Sequence, residues 1–149
     1  MDLHLSARKK VAGILDSRGV SSGIALIKGG EQESQYDTDT ELVFRQDSWF
    51  NYLFGVKEAG FYGAISLPSG RSTLFMPRLP DFYLIWCGDI HPPEHFQKMY
   101  GVDEVRYVDT LGDFLDRELT GDAKLHLMEG VNSDSGRSCV PARFDGDER

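Results

Sequence analysis

The chain has 149 residues, 40% hydrophobic and 27% charged, with a formal net charge of -8. That size suits one ordinary domain with its own core. The negative balance excludes binding driven by nucleic-acid phosphates or anionic lipid, which Lys and Arg must neutralise, and no apolar run approaches the roughly 20 residues that span a bilayer. Cys87 and Cys139 lack CxxC spacing, which fits a reducing compartment and makes the cytoplasm the expected address.

Leu3, Ala7, Val11, Ile14 and Leu15 recur at helical spacing and predict an amphipathic helix stopped near Gly19, with Arg8 to Lys10 on its solvated face. The apolar run at residues 24–27 predicts a strand covered on both faces, hence a central one. Residues 31–40 are polar and acidic and predict a surface turn into a second strand at 41–44. Asp47 is placed to cap a short helix that Gly55 ends. Trp49 and Leu53, like Phe50 and Phe54, lie four apart, so this helix is apolar on more than one face and is expected in the core or against a partner. Residues 61–67 and 72–76 flank Pro68-Ser69-Gly70 and predict a hairpin. Residues 80–88 read as a loop carrying Phe82, Tyr83, Leu84, Ile85 and Trp86, a load that implies a contact to make. Pro92 and Pro93 open a helix expected to turn Phe96, Met99 and Tyr100 inward and to end at Gly101. A strand at 105–108, a capping box of Thr110 and Asp113 on a helix ending by Gly121, and a last strand at 125–128 complete the pattern. Strands and helices intermingle around one antiparallel hairpin, so the expected class is α/β, a mixed sheet flanked by helices.

Several groups of residues invite a chemical reading. His91 and His95, with Asp89 and Glu94 nearby, have zinc-like spacing, but Pro92 pushes His91 out of the helical region, so the imidazoles need not share a face, and no third ligand is evident. Asp37-Thr38-Asp39-Thr40 has the spacing of a phosphatase DxDxT loop but lacks the apolar strand such a loop follows, which leaves a turn. Residues 130–136, GVNSDSG, match neither GxSxG nor a P-loop and read as a polar connection. Cys87 has no evident paired histidine in the adjoining sequence, and one cysteine alone is weak evidence for nucleophilic catalysis; His126 alternates within a strand.

The strings FRQDSWFNYLFGV (44–56), FYGAISLPSGRSTLFMPRLP (61–80), IWCGDIHPPEHF (85–96), VRYVD (105–109) and GVNSDSG (130–136) closely resemble the N-terminal domain of Xaa-Pro dipeptidases, or prolidases, collinearly over nearly the whole chain. Asp37 to Thr40, the aromatic helix and the Arg-Leu-Pro turn are closer to that branch than to the Xaa-Pro aminopeptidases, while the Trp-x-Gly of Trp86 to Gly88 is similar in both. The resemblance implies a creatinase N-terminal, ribonuclease H-like fold as a single noncatalytic domain over 1–149, followed in the parent enzyme by a pita-bread domain that binds two divalent metals, usually manganese. It implies no catalytic or metal-binding residue and no cofactor in this chain. It further implies a homodimer in which Trp86 reaches the partner's active site and gates the substrate. Cys87 and Asp89 occupy positions that vary in the family, so the conformation of this loop does not carry over.

Three functions follow from this reading: a dimerisation and substrate-gating domain of a manganese-dependent Xaa-Pro dipeptidase, or of the aminopeptidase branch; a stand-alone interaction module that lost the peptidase; or an enzyme acting through His91 and His95. A fold-back of Trp86 onto its own sheet is the alternative to gating.

Overall fold

The computed structural model describes residues 2–147, and the side chains of Asp2, Trp86 and Cys87 lie outside the described residues. Five strands, β1 (Gly23–Lys28), β2 (Tyr62–Leu67), β3 (Ser72–Met76), β4 (Glu104–Tyr107) and β5 (Lys124–Leu127), form one sheet in the order β4-β3-β2-β1-β5. The β1–β2 and β2–β3 pairs are antiparallel, while β3–β4 and β1–β5 are parallel. The α/β expectation holds, and the hairpin forms where Gly70, at φ 71°, donates its N–H to the Ser66 carbonyl.

Because strand side chains alternate between faces, the sheet builds two cores. Ala25, Ile27, Ile65, Leu74 and Met76 meet one face cluster, with the helices α1 (Asp2–Ser17), α2 (Ser48–Phe54) and α4 (Pro93–Tyr100) above it. Ile24, Leu26, Tyr62, Ala64 and Phe75 point the other way, onto α5 (Leu111–Glu118) and Ala142. The remaining helix, α3 (Leu84–Cys87), stands apart and is described below.

The α2 caps form as expected. Asp47 Oδ1 accepts from the Phe50 N–H at 2.8 Å, and Gly55, in the left-handed region at φ 71°, donates to the Asn51 carbonyl. Phe50, Leu53 and Phe54 are buried. Phe54 presses its ring onto the backbone of Gly63, where any Cβ would collide with it.

Four expectations fail locally, each for a physical reason. Arg8 is fully buried instead of solvated: Nη1 donates to the Leu53 carbonyl and Nη2 to that of Gly101, both at 2.9 Å, with the guanidinium 5.5 Å from the Phe54 ring centre. It closes the C-terminal ends of α2 and α4, where helix carbonyls lack partners and favour a cation. Residues 41–44 make no strand beyond a single bridge from Glu41 to Ser34, and Val43 is 90% exposed, because no sheet edge lies beside them. Thr110 does not cap α5. It stands in a 3-10 turn (Val108–Thr110), away from the extended conformation a cap requires, and its hydroxyl donates to the Tyr107 carbonyl. Met99 faces solvent, whereas Tyr100 packs on the first core and donates its hydroxyl to Glu58 Oε2.

Candidate functional site

Between β3 and α4 the chain runs on past the end of an interior strand and returns. Residues 77–80, Pro-Arg-Leu-Pro, form a strut whose prolines fix their own φ and hold the preceding residues extended. A 3-10 turn (Asp81–Tyr83) then runs directly into α3. The expected loop is therefore a helical arm, and its signals are ordinary ones: Pro80 before the first turn, Asp81 within it, and Gly88 at the end with φ 78°, its N–H bonded to the Leu84 carbonyl.

The arm exposes apolar side chains. Phe82 is 59% exposed, Leu84 47% and Ile85 80%, and no residue of its 3-10 turn is buried. Burying a side chain of this kind stabilises by about 1.5–3 kcal/mol, so the arm holds several kcal/mol of unrealised contact energy. Trp86 lies on the backbone of α3, and its side chain lies outside the described residues, as does that of Cys87.

Both feet of the arm rest on core aromatics. At the first, Arg78 Nε donates to Asp109 Oδ2 at 2.6 Å and Nη2 to Oδ1 at 3.3 Å, and its guanidinium lies 3.7 Å from the centre of the Tyr107 ring. The hydrogen bond from Arg78 holds the Asp109 carboxyl below its ordinary range, and the same bond raises Arg78. Tyr107 packs against the first core. At the second foot the His91 and His95 rings stack at 3.9 Å and 10°, and both meet Phe96, a buried core residue, edge to face. The two imidazoles do come together although Pro92, extended at ψ 165°, stands between them just before α4.

That stack does not make a chelate. A ring nitrogen directs its lone pair within the ring plane, and two nearly parallel planes separated in this way do not converge on one ion. Among the described residues no group of three or more His, Cys, Asp or Glu side chains is arranged to hold a metal. The residues described here therefore do not fit a two-metal centre.

The other candidate groups have structural partners. Residues 37–40 close a turn in which Thr38 bonds the Gln35 carbonyl and the Thr40 N–H. Asn132 Oδ1 accepts the N–H groups of Asp134 and Ser135, folding residues 130–136 into a self-bonded connection. His126 Nε2 pairs with the Ser22 carbonyl. Cys139 is a free thiol directed at the Met128 carbonyl. Arg78 and Asp109 were absent from the sequence-derived candidates; the one local signal is an arginine set between two prolines.

The model of the aminopeptidase P N-terminal domain matches residues 4–127. The chain belongs to this family. The human Xaa-Pro dipeptidase is 45% identical over 126 residues, 85% of this chain and 25% of its own length, and the Mus musculus dipeptidase is 44% identical over the same span. A probable Xaa-Pro aminopeptidase of Colletotrichum graminicola is 29% identical over 141 residues, 92% of this chain and 26% of its own. The chain thus spans about a quarter of the length of the curated relatives it matches. Among solved structures, aminopeptidase PepP of Pseudomonas aeruginosa superposes with a TM-score of 0.64 at 24% identity, over 81% of this chain and 27% of that one. The low-pH form of aminopeptidase P from E. coli does so with 0.64 at 21%, over 79% and 27%. At these identities the structures show the fold, the expected family domain of mixed sheet and flanking helices. No helix among the described residues is long and apolar enough to cross a membrane.

Proposed function

We propose that this chain is the noncatalytic N-terminal domain of a metal-dependent Xaa-Pro dipeptidase, which takes part in dimerisation and gates substrate through the arm at residues 81–87. The observation that carries this reading is the arm itself: a helical projection in which no described side chain is buried and Phe82 and Ile85 are 59% and 80% exposed. The dipeptidase branch is favoured by the 45% identity to the human dipeptidase against 29% to a fungal aminopeptidase.

In this reading the catalytic domain follows in the parent protein and holds two divalent metals, manganese by family resemblance, that activate water and polarise the scissile carbonyl. No step of that chemistry falls to this chain. Its part is to place Trp86 against a bound dipeptide in the partner subunit and exclude water, a contribution of position and desolvation. The cytoplasm is the proposed location.

The test is Gly-Pro hydrolysis by the full-length protein and its Trp86→Ala variant. The variant is expected to raise KM or lower kcat with bound metal unchanged. Loss of metal would mean that the residue is misplaced. A full-length protein without a peptidase domain would leave the stand-alone interaction module as the reading.

A further inference from the structure

We propose that Arg78 is a positioning residue whose bidentate grip on Asp109 and stack on Tyr107 set the direction in which the arm presents Trp86. The inference rests on the gating reading above and adds to it the device that aims the gate.

The geometry is more specific than stability requires. Arg78 and Asp109 are both about half exposed, with side-chain accessibilities of 55% and 52%, and ion pairs in such settings contribute little to folding. Yet the contact uses two guanidinium nitrogens on two carboxylate oxygens and lays the planar group on an aromatic face, a combination that fixes orientation as well as distance. Arg78 lies two residues after the end of β3 and three before the arm's first turn, and Asp109 lies in the 3-10 turn that follows β4. The pair therefore ties the root of the arm to the neighbouring strand's exit. Tyr107 carries that tie into the core. The far foot is held by the His91 and His95 rings against Phe96.

The lever arithmetic explains why the root matters. Seven helical residues extend roughly 10 Å at about 1.5 Å per residue, so a swing of ~10° at the root moves the tip by ~2 Å. A displacement of about 1 Å in a positioning group can cost up to ~100-fold in rate. A bond worth little to folding can thus be worth much to presentation.

The experiment is a double-mutant cycle in the full-length peptidase with Gly-Pro as substrate, reading kcat/KM, bound metal and melting temperature. Arg78→Met and Asp109→Asn are each expected to lower kcat/KM about tenfold with metal and melting temperature unchanged. Arg78→Met is expected to add nothing once Trp86→Ala is present, since there is then no indole to aim. Arg78→Lys, which keeps the charge without the planar fork, is expected to recover only part of the loss.

Three results overturn the inference alone: Trp86→Ala lowers kcat/KM while Arg78→Met does not, the two losses multiply in the double variant, or the Arg78→Met loss tracks a fall in melting temperature. An unaltered kcat/KM in Trp86→Ala overturns the gating reading and the inference with it.

Discussion

Two short aromatic segments meet different fates. In α2, SWFNYLF, Phe50, Leu53 and Phe54 are buried, at 0%, 4% and 0% exposed, while Trp49 and Tyr52 on the same helix stay 59% and 40% exposed; in the arm, DFYLIWC, no described side chain is buried, and Phe82 and Ile85 are 59% and 80% exposed. Apolarity does not separate them. Surroundings do: α2 lies over the sheet, where Gly63 leaves room for the Phe54 ring, and Arg8 and His4 bond the carbonyls at its end. The arm springs from the end of the interior strand β3 on a proline strut, and none of its described side chains is buried. An aromatic cluster is a core only where the fold supplies a face to receive it.

The comparison can be broken most forcefully at Phe54. Phe54→Ala should destabilise the chain by about 3–5 kcal/mol in urea unfolding, through lost transfer energy and a cavity over Gly63. A change near zero would mean that α2 is an interface helix like the arm. Next comes Arg8→Met, which keeps bulk but orphans the Leu53 and Gly101 carbonyls. It should cost about 1–3 kcal/mol, and a stabilised variant would show that the buried guanidinium, whose pKa is lowered by burial against the pull of Asp103, is a net burden. Asp47→Ala should cost about 1 kcal/mol through loss of the α2 cap; no loss would mean that the cap bond to the Phe50 N–H is dispensable.

The same contrast marks what could be read from the residues. Periodicity located α1, the central strand β1, the hairpin and the caps of α2, because those signals are local. Arg8 misleads for the opposite reason. Its carbonyl partners lie 45 and 93 positions away, and a charge beside an apolar stripe reads as solvated until the helix ends that need it are known. Residues 41–44 have strand composition but no edge to pair with. The arm's exposed apolar load was legible, while its helical form was hidden by an aromatic run that resembles either a loop or a strand. Arg78 and Asp109, 31 positions apart, could be matched only once β3 and β4 lay side by side. The proposed role of Trp86 rests on family resemblance, since no spacing in this chain points to it.

In the proposed function the arm's apolar face is covered by another surface. That cover is tested by kcat/KM for Gly-Pro in the full-length Phe82→Ser/Ile85→Ser variant. Even half of the about 1.5–3 kcal/mol per side chain available on burial corresponds to a tenfold or larger fall, at about 1.4 kcal/mol per decade. That fall is expected with folding stability changed by no more than about 0.5 kcal/mol. An unaltered kcat/KM, or a loss matched by unfolding, would mean that the arm's apolar face meets no such surface.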